Sequence, residues 1–164
     1  MPIYTLMESE TEFIRSSTAD DCRDVYALIC NMEEKELPYA AFERIFQQQL
    51  KDADYACLVY VSDGKVKGCI NLRMEYQLHH AERICEIMEL SVSPECRSRG
   101  IGKQLFDEAC HHARQEGCTQ IEVCCNRLRT RTHRFYEARG MHNFHYKFSL
   151  NFASPQDSEN RLGR

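Results

Sequence analysis

Residues Ser91 to Gly102 read Ser-Val-Ser-Pro-Glu-Cys-Arg-Ser-Arg-Gly-Ile-Gly, and their order is what chemistry on a phosphate ligand requires. An apolar strand pattern over Ile84 to Val92 stops before Pro94, and a helical pattern runs from Lys103 to Gln115. A strand, a glycine turn and a helix N-terminus in succession form an anion site. The first helical amides have no acceptor inside the helix, and the helix dipole adds partial positive charge there. Glycine at positions 100 and 102 lets the main chain come close to a bulky phosphate. Two nucleotide loops are excluded by single residues. A Walker A loop needs glycine at position 97 and a hydroxyl residue at 104, where this chain has Arg97 and Gln104. A dinucleotide fingerprint needs a glycine where Leu105 stands. What remains is the pattern R-x-x-G-x-G, from Arg97 to Gly102.

The elements that must hold this turn follow from periodicity. The chain predicts a short strand over Phe13 to Arg15, a capped helix start over Ser17 to Asp21, and a helical stripe of Val25, Leu28, Ile29 and Met32. Pro38 opens a second helix whose buried face is expected to carry Phe42, Ile45, Phe46 and Leu50. Tyr55 to Val61 and Lys65 to Met74 form a hairpin around Asp63-Gly64, and Ile84 to Val92 is the next strand. The helix after the glycine turn buries Leu105, Phe106, Ala109 and Ala113 and stops at Gly117. A strand over Gln120 to Cys125, a short helix over Thr132 to Arg139 and a last strand over Tyr146 to Phe152 complete the order.

Composition narrows the function classes. A chain of 164 residues is expected to form one domain with a real core, over residues 1–152, with 153–164 a disordered tail. The formal charge of −4 argues against a nucleic-acid partner, and no apolar run approaches the ~20 residues of a membrane span. Residues Met1 to Glu10 carry no basic-then-apolar leader pattern. The ten cysteines include no C-x-x-C pair, and Cys30, Cys57, Cys69, Cys110 and Cys124 stand among apolar residues, where a free thiol acts as a small core side chain. A reducing cytoplasm is the expected location.

The glycine turn resembles the pyrophosphate loop of the GCN5-related N-acetyltransferases (GNAT), and the element order resembles that family from Phe13 to Phe152. His133-Arg134-Phe135-Tyr136-Glu137-Ala138-Arg139-Gly140-Met141 resembles a second family motif after the fifth strand. The resemblance implies an α/β (α+β) fold, a mixed, mostly antiparallel twisted sheet of about six to seven strands flanked by about four helices. A closer resemblance, to the bacterial aminoalkylphosphonate N-acetyltransferases, rests on several pieces. They are Val25 to Cys30, Leu78-His79-His80, Glu86 to Val92, Asn126, Arg129 and His133 to Tyr136.

The resemblance implies acetyl-CoA as cosubstrate and direct attack by a primary amine in a ternary complex. It names aminoalkylphosphonates as acceptors, with a polyamine, an aminoglycoside or an amino acid as alternatives. The alternative from another class is a non-catalytic acyl-CoA-binding module. An alkylammonium with pKa near ~10 must lose a proton before it attacks, and a nearby carboxylate can take it. Glu86, six residues before Val92, is the first candidate base. Strict alternation puts it on the face of Met88, Leu90 and Val92. A bulge is common in this strand of the family and would switch faces, so Glu89 is the reserve. Tyr136 is the candidate acid for the leaving thiolate.

Peptide groups around Leu90 and Val92 should hold the acetyl carbonyl and the pantetheine arm. Amides of Arg97, Arg99, Gly100, Ile101, Gly102 and Lys103 should hold the pyrophosphate, with charge from Arg97 and Arg99 added. Asn126 is a candidate for the pantetheine arm. The family often carries an asparagine seven residues before the tyrosine; here that place is Arg129, which could reach the coenzyme phosphates. His79 and His80 could meet the phosphonate, carry a proton or ligate a divalent metal. Arg73 and Glu89 are further candidates for substrate contact, as are Tyr39 and Tyr76. A homodimer through the late strands is also implied.

Overall fold

The computed structural model describes residues 11–152; the N-terminal decapeptide and the tail considered above lie outside them. The chain divides after Val123 into two compact units. The first contains β1 (Glu12–Ser16), α1 (Cys22–Glu33), α2 (Tyr39–Gln49), β2 (Tyr55–Ser62), β3 (Lys65–Gln77), β4 (Glu82–Val92), α3 (Ile101–Gln115) and β5 (Gln120–Val123). The five strands form one sheet in the order β1-β2-β3-β4-β5. All neighbours are antiparallel except β4 and β5, which run parallel. No helix among the described residues is long and apolar enough to cross a membrane.

Local chemistry sets the elements. Arg15 grips Asp21 through two hydrogen bonds of 2.7 and 2.9 Å. The same carboxylate accepts the Thr18 amide at 2.7 Å, so β1 is tied to the 3₁₀ turn (Ala19–Asp21) that starts α1. Pro38, extended, caps α2 as expected. Asp63 and Gly64 both have positive φ, 52° and 71°, the geometry of a two-residue hairpin turn between β2 and β3.

The sheet is packed on both faces. Cys69 joins Val59 and Val61 in the cluster beneath α1 and α2, with Val25, Leu28, Ile29 and Phe46. Its neighbour Gly68 points the other way, and a Cβ there would meet Leu105 Cδ1 at 3.0 Å and Ile101 Cγ2 at 3.2 Å, both on α3. The absence of a side chain at position 68 thus lets α3 sit close against β3.

The second unit holds α4 (Thr130–Glu137), which ends near Gly140. Here the expected last strand fails. Residues 141–152 have no strand assigned and are mostly exposed, so the sheet has five strands rather than six or seven. Alternating side chains permit a strand, but only a ladder partner makes one, and none is present among the described residues. Two smaller expectations also need correction. Ile45 is half exposed, because it lies beside the α2 stripe of Phe42 and Phe46 rather than on it. Cys124 is exposed and Cys30, Cys57 and Cys110 are half-buried, so among the five named only Cys69 is a core thiol; all ten cysteines are free. The β5 strand also stops at Val123, short of Cys125.

Replacing Gly68 with Val should force α3 away from β3 and lower stability by about 1–3 kcal/mol. Thermal unfolding of Gly68→Val measures this, and an unchanged midpoint would mean the close approach is dispensable.

Candidate functional site

The strand β4 does not follow strict alternation. Asn71 of β3 lies opposite Glu89, yet the next residue, Leu72, lies opposite Ile87, so Met88 is an extra residue bulged out of the ladder. Arg73 lies opposite Glu86. Asn71 and Arg73 are two apart and share a face, so Glu86 and Glu89 share it too. The face given to Glu86 by alternation is therefore corrected: it stands with Glu89 and Ser91 on the side of α1 and α2. The Ser91 hydroxyl donates to the Leu28 carbonyl of α1 at 2.9 Å.

Two polar rows cross this face. In one, the Asn71 amide donates to Glu89 Oε2 at 2.9 Å and to Gln49 Oε1 of α2 at 3.0 Å. In the other, Arg73 Nη2 donates to Glu86 Oε2 at 2.8 Å and lies 3.3 Å from Glu75 Oε1. Burial pushes the Glu89 carboxyl above the usual carboxylate range. The Asn71 bond opposes this, and the charges of Glu33 and Glu86 reinforce it. Arg73 Nε and Asn71 Oδ1 are buried with no hydrogen-bond partner among the described residues. The site therefore offers a raised carboxyl, an unused cationic N–H and an unused acceptor.

Asn71 and Gln49 were not foreseen. A signal existed for Asn71, a lone polar residue inside the apolar run Cys69-Ile70-Asn71-Leu72. Nothing in sequence marks Gln49, which only the packing of α2 brings to β3. Tyr39 and Tyr76 have other settings: the Tyr39 hydroxyl lies 3.2 Å from Glu43 Oε1, and Tyr76 is exposed with the Arg83 guanidinium 5.7 Å from its ring centre.

The far end of β4 carries the anion turn. Strand β5 pairs only with Ile84 to Ile87, so from Met88 to Val92 the strand has β3 on one side and, among the described residues, no strand on the other. Main-chain groups around Leu90 and Val92 lie along this open edge. A 3₁₀ turn over Pro94–Cys96 leads to Gly100, whose φ of 81° places it in the left-handed region as N-cap of α3. Among the described residues no side chain caps this helix, and its first hydrogen bond runs from the Gln104 amide to the Gly100 carbonyl at 3.1 Å. The amides of Ile101, Gly102 and Lys103 precede that bond.

The side chains around the turn are largely committed. Arg97 donates from Nε to the Val92 carbonyl at 3.1 Å and from Nη2 to Asn31 Oδ1 of α1 at 2.8 Å. Lys103 pairs with Asp107 at 2.6 Å, and Arg99 approaches Glu12 at 3.9 Å. Arg97 thus braces the turn, and the amides are what the turn offers.

His79 and His80 sit in the turn joining β3 to β4, their ring centres 4.2 Å apart. His80 Nε2 lies 3.5 Å from Glu122 of β5. No group of three or more His, Cys, Asp or Glu residues placed to hold a metal ion occurs among the described residues. The donor set does not fit a resident divalent metal.

In the second unit, Tyr136 of α4 is buried, 5.2 Å from the Phe135 ring in an edge-on contact. Burial, with the Cys125 thiol adding to it, pushes its phenol up to about 12. Asn126 Oδ1 accepts the Leu128 amide at 2.9 Å, and the Asn126 carbonyl accepts the Arg129 amide at 2.9 Å. His133 Nε2 is 2.9 Å from that same carbonyl. Asn126 therefore builds the turn before α4, with Arg129 as the N-cap.

A strand with one open edge, running into an uncapped helix N-terminus beside a carboxylate face, defines an acyltransferase architecture. The family model described as "Acetyltransferase (GNAT) family" matches residues 20–141, and the chain belongs to that family. It is an N-acetyltransferase of the GNAT type. The chain is 40% identical over 136 residues to an aminoalkylphosphonate N-acetyltransferase of Salmonella typhimurium, covering 83% of this chain and 88% of the relative. A transcriptional regulator from Bacillus halodurans shares the fold with a TM-score of 0.80 at 22% identity, over 87% of this chain and all of that one. An aminoglycoside N-acetyltransferase solved in complex with CoA shares it with a TM-score of 0.77 at 15% identity, over 92% and 99%.

The raised Glu89 carboxyl has a thermodynamic signature. Its ionised form is disfavoured by folding, so stability falls as pH rises from the unfolded value near ~4.3 through the raised folded value. Glu89→Gln escapes that loss. Its melting temperature should equal or exceed that of the wild type at pH 7, with the advantage shrinking toward pH 4. A variant less stable at pH 7 than at pH 4, relative to wild type, would refute the shift.

Proposed function

We propose that this enzyme moves the acetyl group of acetyl-CoA onto the primary amine of an aminoalkylphosphonate, by direct attack in a ternary complex. The observation that carries this reading is the pair of rows on β3 and β4, Asn71 with Glu89 and Arg73 with Glu86. They lie about 7 Å apart along the strand. That spacing suits an amine at Glu89 and phosphonate oxygens at Arg73. The buried, unpartnered Arg73 Nε supports the anion role. The resemblance to the Salmonella enzyme, named for that class of substrate, supports it too.

The coenzyme pyrophosphate lies on the amides of the turn from Arg97 to Lys103. The pantetheine arm follows the open β4 edge at Leu90 to Val92, and main-chain donors there polarise the thioester carbonyl. The Glu89 carboxylate takes the proton from the ammonium, because burial makes it a stronger base than an exposed acid. Glu86, held by Arg73, orients that guanidinium instead. The neutral amine attacks the carbonyl carbon, the C–S bond breaks, and the surplus proton on nitrogen passes through solvent to the departing sulfur, which leaves as the CoA thiol. We assign Tyr136 a hydrogen bond at sulfur from its place in the His133 to Met141 motif. A phenol near 12 stays protonated at neutral pH. Full transfer to a thiolate whose conjugate acid is near ~8.5 is uphill, so its part is a strong hydrogen bond to the departing sulfur.

The carboxylates of Glu33, Glu75, Glu86 and Glu89 favour a second reading, a polyamine acceptor, because they would draw a polycation.

A thiol-release assay across aminoalkylphosphonates, polyamines, aminoglycosides and amino acids separates the readings. Turnover should be highest with the phosphonates. Arg73→Met should raise KM for them at least tenfold and leave a polyamine unaffected. Equal loss on both classes, or preference for polyamines, would overturn the phosphonate assignment.

Glu89→Gln should lower kcat by about 10²–10⁴-fold with acetyl-CoA affinity unchanged in calorimetry. Tyr136→Phe should lower kcat more than it weakens coenzyme binding. If Glu86→Gln is the more damaged of the two acids, Glu89 is not the base.

A further inference from the structure

Gln49 is the last residue of α2, and the helix ends with it within reach of β3. Phe46, three residues earlier on the same side of the helix, is buried in the cluster with Val25, Leu28 and Ile29 and anchors that last turn. From there Gln49 Oε1 accepts one N–H of the Asn71 carboxamide at 3.0 Å, and Glu89 Oε2 accepts from the same nitrogen at 2.9 Å. Both N–H groups of Asn71 are thus spent. Chemistry fixes the direction of this chain. An ionised carboxylate only accepts, so Asn71 must turn its nitrogen to Glu89, and Gln49 must then turn its oxygen to Asn71.

The oxygen side of Asn71 gives no such hold. Its Oδ1 is buried with no hydrogen-bond partner among the described residues. The carboxamide is therefore held through its nitrogen, by one partner on β4 and one on α2. The torsion that turns a carboxamide is broad and roughly two-fold, so its nitrogen and oxygen can exchange places. Without Gln49, that rotation would bring Oδ1 to Glu89, where only a protonated carboxyl can bond it. The other groups around Glu89 push the same way. Burial and the charges of Glu33 on α1 and Glu86 on β4 disfavour the ionised form, and the Asn71 bond opposes them. Arg73 is engaged with Glu86 and Glu75. The thiols of Cys57 on β2 and Cys69 on β3 are raised by burial and bring no positive charge to the acid.

We propose that Gln49 is a positioning residue for the acetyl transfer: it locks Asn71 in the orientation that donates to Glu89, and so keeps that carboxylate ionised and aimed while the amine binds. The inference rests on Glu89 as the base in the function proposed above. The proton passes from the ammonium nitrogen to a Glu89 oxygen, and neither carboxamide gains or loses one. The arrangement ties the base to the seating of α2. A last turn displaced from β3 would release Asn71 and favour the protonated acid.

Gln49→Met keeps the length of the side chain and removes the acceptor. In carbon NMR of the full chain without substrate, the Glu89 carboxyl, assigned through Glu89→Gln, should titrate at higher pH in this variant than in wild type. The acid limb of the kcat profile should move the same way, and kcat at pH 7 should fall about three- to tenfold, the worth of one hydrogen bond. Acetyl-CoA affinity in calorimetry should not change. Adding Gln49→Met to Asn71→Leu should cost nothing further, because Gln49 acts through Asn71. Gln49→Leu, of different shape, should repeat the shift if Gln49→Met folds poorly. An unshifted Glu89 titration in both variants, or losses that add in the double variant, overturns the proposal. A matching loss of coenzyme affinity does so too, since it marks a merely structural role. Full activity of Glu89→Gln would overturn the base itself, and the part of Gln49 in the transfer with it, whatever the titration shows.

Discussion

A single extra residue in β4, Met88, decides which side chains of this strand can act together. Without the bulge, Glu86 and Glu89 would point to opposite faces, one toward α1 and α2 and the other toward α3. With it, both carboxylates lie on the face that α1 and α2 contact through Leu28 and Gln49. Bulges are stable where the partner strand can answer the shifted register, and β3 does so with Asn71 for Glu89 and Arg73 for Glu86. The bulge and its two partners are one unit: a change to any of the three leaves a buried acid or amide unmatched.

Glu89 is raised first by burial, and the partners of the two acids differ as well. Glu86 faces a full positive charge, whereas Glu89 faces a neutral amide and the negative charges of Glu33 and Glu86. Low-dielectric surroundings amplify that difference. One strand face thus presents an ion-paired acid beside one that burial pushes above the usual carboxylate range. This difference emerges from burial and cross-strand pairing and not from the acids' own positions in sequence.

Most elements were legible in the sequence because each has a strong local cause. The Thr18-Asp21 box, Pro38, the Asp63-Gly64 turn and Gly100 act within a few residues of themselves, and the structure shows each in the expected place. The candidate site was legible in its residue types but not in its pairing. Alternation misplaced Glu86 because a bulge has no sequence signature of its own. The Arg97 amide was expected at the pyrophosphate with its side chain adding charge; what the sequence could not show is that its guanidinium bridges Val92 to Asn31, a partner far away in sequence that only the packing of α1 supplies. Ile45 looked buried because the stripe on α2 is narrower than its apolar composition. The last strand shows the deepest limit of such reading. Alternation from Phe144 to Phe152 states what the segment could do, while a strand also depends on a partner that local sequence does not contain.

The anion turn and the carboxylate face need opposite electrostatics, and β4 keeps them apart by running between them. The acids lie at and before the bulge, where β3 and β5 flank the strand or α2 closes over it. The uncapped amides lie past Val92, where β5 has already diverged. Arg97 joins the two ends mechanically: one guanidinium holds the last β4 carbonyl and α1, the helix that also receives Ser91. A shift of α1 would therefore be felt at the turn and at the acid face together. In the function proposed above, an anion at the turn and an amine at the acids would draw on the same braced strand. The short peptide between Glu89 and Val92 is paired with β3 on one edge and, among the described residues, with no strand on the other.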